Sequence, residues 1–522
     1  MKGSLFISIL FVVLVYTVIS CKPKSSVTVT PADGNFPPEI ANIMLNKCAT
    51  SGCHNAASRA AGLALDSWEH LFQGDGQGSV VIPYDTIYSL LLYRVNTDSA
   101  LGFIVPPSQP PTISASNPGT PLSRTEYLSL SNWIARGAPD KNGNIPFATD
   151  ADTRQKLYMT DQGSDLVSVI DAQSMVVMRN IRVGLNPTSI ESPHNIVASS
   201  DGKSVYVCFY AGAYIQKIDT RTDTVVESVS IGHYGIDNIG SWNVVFPSPA
   251  ADTALLATNL ALGYSGSAAG SVVYLNTSPL KAKVGYGGFI DGITFTHPHG
   301  ICSNFTFDTF FIASEYGNTI YRFFPSGLQT GDPFLKLISL DATPAVQQDG
   351  AQGWEDPHAL FMAPDFSKYI VTCEGTNEVR VMDAHTDKLD TVLHAGTFPQ
   401  EAVFSTNPAT PYLFVTCMLD ANNAPYNQGS VYVFDYNTYQ LKTVLYGDFY
   451  QPHGICVDDR DGLVYIPSSN LNPTGPPPHH CLPGNCHPGW YSVYSLNTLK
   501  PVNKYRYEVP LAPYSICSRF AK

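Results

Sequence analysis

Apolar and polar residues alternate in two rhythms along this 522-residue chain, and the change of rhythm divides it. Between residues 37 and 145 apolar positions recur every three to four residues. Ile40, Ile43, Met44 and Cys48 share one face of a predicted helix. Ser123 to Arg136 reads as another, with Ser123 and Glu126 at capping-box spacing and Gly137 with Pro139 as its stop. From about residue 150 the period drops to two. Ser204 to Tyr210, Tyr214 to Asp219 and Thr224 to Ile231 alternate as half-buried strands do, and the triplet returns at 368–395 and 412–446. An acid precedes the last strand of a triplet at Asp171, Asp219, Asp383 and Asp435, with Asn276 in the matching place. A short oxygen-bearing side chain there closes an Asx-type turn, so these are read as turn residues rather than catalysts.

Such recurrence marks a repeat architecture. Seven units can be counted, with inner strands beginning near His194, Asn243, His299, His358, Glu401, His453 and Tyr514. Residues 157–183 supply only the three outer strands of a unit, and Tyr514 to Phe520 supplies a lone inner strand far along the chain. Joining the two closes a ring and removes the free edges an open array would carry. The expected fold is mainly β: a seven-bladed β-propeller over 150–522, preceded by a small α-helical domain over 37–145.

Composition narrows the setting. The chain has 30 basic and 43 acidic residues, a net charge of -13 that opposes a nucleic acid partner. Met1-Lys2 leads into an apolar run from Leu5 to Ile19, short for a membrane span and ending in Val18-Ile19-Ser20-Cys21, the shape of a signal peptide. The small residue before cysteine resembles a bacterial lipobox. That resemblance implies a signal peptide over 1–21, lipidation of Cys21, a flexible tether over 22–36, and a protein held by its lipid to the periplasmic or outer side of a cell-envelope membrane. An uncleaved membrane anchor is the alternative. Cys208, Cys302, Cys373, Cys417, Cys456 and Cys517 sit in strand-like runs and read as small core residues.

The segment Cys48-Ala-Thr-Ser-Gly-Cys53-His54 carries the first chemistry. Two thiols followed directly by histidine resemble a c-type haem attachment site, with four residues between the cysteines in place of the common two. In such a site two thioether bonds fix the porphyrin edge and the imidazole is the proximal iron ligand. A zinc site needs further ligands, and from 37 to 145 the other one is His70; a Cys48–Cys53 disulfide is the plain alternative. In the helical reading of Ser67 to Phe72, His70 faces solvent. Leu63-Ala-Leu-Asp66, Ser79-Val-Val-Ile-Pro83, Ser89-Leu-Leu-Leu-Tyr93 and the Ser123–Pro139 helix with its stop resemble planctomycete-type cytochrome c domains. The resemblance implies one covalent haem c on Cys48, Cys53 and His54. The family's ligand methionine precedes Pro-Pro, where this chain has Val105-Pro106-Pro107, and valine cannot coordinate iron.

The repeats resemble YVTN-type propellers, and their inner strands carry the second chemistry. Pro193-His194, Pro298-His299, Pro357-His358 and Pro452-His453 place an imidazole at the channel mouth in four blades, and Gln400-Glu401 adds a carboxylate. Such a ring suits copper, zinc or iron, and nitrous oxide reductase, a propeller with histidine-held copper, is a resemblance to weigh. Pro-His-Gly also occurs in propellers that bind no metal, where histidine bonds neighbouring loops. His297 joins the cluster or faces solvent; His233, His385 and His394 read as surface residues. Cys481 and Cys486, followed by His487, repeat the four-residue spacing and form a disulfide or a second haem site, with His479 and His480 as extensions of the channel site. Two function classes follow. In one the chain is an electron-transfer haem protein with a metal or substrate site in the propeller, an oxidoreductase working with a redox partner the sequence does not name. In the other the propeller is a non-catalytic binding platform and the haem domain a sensor or carrier.

Overall fold

A computed structural model describes residues 32–96, 98–101, 122–232, 242–260, 269–287, 295–327, 334–341, 355–423, 429–470, 488–503 and 506–520. Cys21, Val105, His233, and the loop carrying His479, His480, Cys481, Cys486 and His487 lie outside them.

The amino-terminal domain packs short helices around one core. Helix α1 (Pro38–Ile43) begins with proline, whose missing N–H costs nothing in a first turn, and runs into a π-helical turn over Met44–Cys48. Helix α2 spans Trp68–Leu71, α3 Leu90–Val95 and α4 Arg124–Ala135. The capping box on α4 is complete: the Ser123 hydroxyl accepts from the Glu126 N–H, and Glu126 accepts from the Ser123 N–H. Gly137 ends the helix at φ +94°, and a Cβ there would meet the Tyr84 ring at 2.5 Å. Phe36, Ile40, Met44, Leu65, Leu91, Trp133 and Ile134 form the core.

The second domain is a seven-bladed propeller of antiparallel sheets. Blade 1 joins Pro513–Ser518 as inner strand to Lys156–Asp161, Leu166–Asp171 and Val176–Arg182, which is the ring closure expected from the sequence. The other inner strands, blades 2 to 7, are Pro193–Ala198, Trp242–Pro247, Pro298–Ser303, Pro357–Met362, Thr397–Phe404 and Cys456–Asp458. The turn acids act as expected. Asp219 Oδ1 accepts from the Arg221 and Thr222 N–H groups, and Asp383 and Asp435 repeat the pattern. The six strand cysteines are free thiols in or beside the blade cores.

The helical domain sits on the outer rim. Ser79 Oγ donates to the Val177 carbonyl, Asp85 accepts from Asn180 Nδ2 at 2.9 Å, and the Glu508 N–H donates to the Gln77 carbonyl. Ile82 enters the cluster of Leu157, Val177, Tyr507 and Val509, and the Arg179 guanidinium lies 4.8 Å from the Tyr84 ring centre. The domain therefore covers the outermost strands of blades 1 and 7 and leaves the inner strands to one another.

Candidate functional site

The Cys48–His54 segment follows the π-helical turn without a break. The wide turn sends the Ala49 N–H to the Met44 carbonyl, and the His54 N–H returns to the Cys48 carbonyl at 3.2 Å. Single π turns in α-helices are frequent at functional sites. Cys48 and Cys53 are both half-buried thiols outside any disulfide, and burial pushes the Cys48 thiol up to about 11. His54 Nδ1 lies 3.1 Å from the Ala60 carbonyl. A bond in that direction holds the ring proton on Nδ1 and leaves the Nε2 lone pair free, the arrangement that metal-ligating histidines use. Two thiols outside any disulfide and an oriented imidazole fit a covalent haem. His70 is differently engaged: Nδ1 meets Asp66 at 2.7 Å, one turn back on the chain, and its N–H is capped by Ser67.

In the propeller, one backbone device repeats at the inner-strand entries. Ser192, His297, Asp356, Phe398, Gln451 and Ala512 each precede a proline and each have φ between 44° and 55°. A left-handed residue before proline is unfavourable on both counts, and six blades share it. The residue after each of these prolines is His194, His299, His358, Gln400, His453 or Tyr514. Ladder register slips just beyond, between Pro193 and Ile196, Pro298 and Ile301, Pro357 and Leu360, and Pro399 and Ala402. Threonines fasten the entries from the preceding blade. Thr160, Thr258, Thr372 and Thr416 hydroxyls donate to the carbonyls of His194, His299, Gln400 and His453 at 3.2, 2.7, 2.7 and 2.6 Å. At Gly300 a Cβ would come within 2.5 Å of the Ala359 backbone, so part of the Pro-His-Gly pattern is a packing requirement.

The four expected histidines converge. Ring centres lie 4.4 Å apart for His299 and His358, 5.4 Å for His358 and His453, 6.2 Å for His194 and His299, and 6.4 Å for His194 and His453. His194, the most exposed, is 7 % accessible. Glu401 is one residue out of register with them. Gln400 takes the axial place and bonds Glu374, whereas Glu401 stands at the slipped position and still brings its carboxylate to His358 and His453. His297 is buried with its ring edge-on to Tyr316, not solvent-exposed. His385 and His394 are exposed.

Burial sets the electrostatics. It lowers His194 to about 3 and His299 to about 4, and drives His358 and His453 well down, so all four rings are neutral near pH 7. It raises Glu401 and Glu374 to about 7 and Glu315 to about 8, the last helped by the charge of Glu374. Neutral imidazoles with lone pairs, beside carboxyls short of counter-charge, make a site that a divalent cation would complete. Among the described residues, two sets bring their ligand atoms within 4.8 Å of one another: His299, Glu315 and His358, and His358, Glu401 and His453. Proline-histidine repeats did not reveal Glu315, Glu374 or Tyr514. Tyr514 stacks on His453 at 3.6 Å and lies 4.5 Å from His194; its place at the head of the closing strand was the available signal.

Residues 51–108 match the family model of planctomycete cytochrome c, a span that contains Cys53 and His54 and begins just after Cys48. No curated protein matches the sequence. Among solved structures the chain is similar to a functionally unknown protein from Desulfotomaculum acetoxidans, at 14% identity over 70% of this chain and 99% of that one, with a TM-score of 0.48. It is also similar to hydrazine synthase from Kuenenia stuttgartiensis, at 15% identity over 64% and 93% of the two chains, with a TM-score of 0.45. The amino-terminal helical domain carries a planctomycete cytochrome c segment, and the rest of the described chain is a seven-bladed propeller.

Proposed function

We propose that the protein is a c-type haem protein of the cell envelope that transfers electrons, tethered to its membrane through a lipidated Cys21. The observation that carries this reading is the oriented His54 directly after the thiol-bearing pair Cys48 and Cys53, in the domain that the cytochrome c family model matches. A bound haem would supply one-electron chemistry, with Cys48 and Cys53 holding its edge and His54 its iron. Val105 stands where the family has its methionine, so the expected iron is high-spin or ligated from elsewhere, at a lower potential than His/Met ligation gives.

The propeller supplies the second half of the proposal: a buried metal or substrate site lined by His194, His299, His358, His453 and Glu401, copper or another transition metal being the ion class that imidazole and carboxylate suit. The helical domain docks on the outermost strand of blade 1. Three strand spacings, about 14 Å, separate that strand from the inner one. On this reading the two centres are distinct, and an oxidoreductase built on them would move electrons between sites rather than within one cavity.

A reduced-minus-oxidised absorption spectrum of the purified full chain tests the first half. A c-type band that survives denaturation and disappears in C48A/C53A is expected; its absence in the wild-type protein would sink the haem assignment. Membrane fractionation tests the anchor, with C21A expected in the soluble fraction.

A further inference from the structure

The nitrogens of the histidine cluster are not equivalent. His299 Nδ1 donates to the His358 carbonyl at 2.9 Å, which leaves its Nε2 lone pair unclaimed. His358 Nδ1 and both nitrogens of His453 are buried with no hydrogen-bond partner, as is Glu315 Oε2. An unpartnered buried imidazole nitrogen is costly unless something fills its place. His194 differs, because its Nδ1 accepts from the Gln162 amide at 2.7 Å. In the neutral ring that bond puts the proton on Nε2, and both nitrogens of His194 are then unavailable to a metal.

The candidate ligand sets meet at one residue. His358 belongs both to the set with His299 and Glu315 and to the set with Glu401 and His453. A neutral imidazole offers a single lone pair, so two ions cannot both draw on it. The carboxylates lie on the two flanks, and either set supplies two nitrogens and one oxygen, the donor mix of open three-ligand transition-metal sites.

We propose that the propeller axis binds one divalent transition-metal ion per chain, with His358 as its obligatory ligand, His299 with Glu315 or His453 with Glu401 completing the set, and His194 outside it. This rests on reading the propeller cluster as a metal site and fixes its stoichiometry and ligand hierarchy. The ligand atoms of each set lie within 4.8 Å of one another, a looser bound than the roughly 3.4 Å between corners of a tetrahedron with bonds of about 2.1 Å. Loading therefore draws one flank inward.

The test uses the full-length haem-loaded chain titrated with Zn²⁺ alone and with Cu²⁺ alone, under competition from a chelating dye. One ion per chain beyond the haem iron is expected, and the Cu²⁺-loaded wild-type protein should show coupling to two imidazole nitrogens by paramagnetic resonance. H358Q should lose affinity by more than the roughly 10–100-fold that removal of an outer partner costs. E315Q and E401Q should each lose less than H358Q, since each leaves the other set whole, and H194Q should keep one ion per chain. Two ions per wild-type chain, or H358Q binding as tightly as wild type, would overturn the ligand hierarchy while leaving a metal site in place. No ion bound at micromolar concentration by the wild-type chain would overturn the metal reading itself. The wild-type stoichiometry and resonance decide the matter even where a variant fails to fold.

Discussion

A carboxyl group that folding removes from water ties stability to pH, and Asp75 is one outside the histidine cluster. Burial raises it to about 6 even though Arg94 lies nearby and the Gln77 N–H donates to it. An unfolded aspartate titrates near 3.9, so the folded chain binds this proton more tightly. The stabilising contribution is complete below about pH 4 and is lost as pH rises through about 6. Asp75→Asn should lessen the fall in unfolding temperature between pH 5 and pH 8, read by thermal melts at both values; an unchanged slope would refute it. Pro-His repeats made His194, His299, His358 and His453 legible, because the proline marks each strand entry. Glu401 was placed with them although Gln400 shares their register, since a ladder slip leaves no composition signature. Glu315 and Glu374 stand near the ends of second strands and meet the histidines only through the ring, which is why their local sequence says nothing of it.

At the scale of elements, the inner strands are held at their entries by hydroxyls from neighbouring blades. Thr416 both donates to the His453 carbonyl and accepts from the Glu401 N–H at 3.1 Å. Thr416→Val keeps the shape and strands both groups, so a loss of about 1–3 kcal/mol is expected in chemical denaturation, together with weaker metal retention if His453 shifts. In the helical domain Ser123→Ala removes one half of the α4 capping box and should cost about 1 kcal/mol. The strands and this cap were legible because period, acid turns and cap residues are local signals. The π-helical turn at Met44–Cys48 was not. An apolar face leading into Cys48 is compatible with either winding, and the wider turn shows in the Met44-to-Ala49 bond.

For the whole molecule, closure is the controlling feature. The strand Pro513–Ser518 pairs with Lys156–Asp161, and Arg519 secures it by donating to the Ala151, Arg154 and Gly202 carbonyls. Deleting residues 513–520 should expose the edge of Lys156–Asp161 and also remove Tyr514 from between His194 and His453. The expected result is loss of a single cooperative unfolding transition, seen by calorimetry, with self-association in light scattering. Ring closure was legible because an incomplete first unit and a lone last strand complement each other. The docking of the helical domain was not, since Ser79, Ile82 and Tyr84 carry no mark of what they touch.

That closing strand also sets an order of assembly. The core of the helical domain, from Phe36 to Ala138, is complete before any propeller strand has been made. The surface it docks on draws on blades 1 and 7, and neither is whole until the strands beyond Tyr507 arrive. Between those two moments Cys48 and Cys53 stand on a finished small domain whose docking surface is still incomplete, so the segment that holds them is open to solvent on more sides than it is in the closed ring.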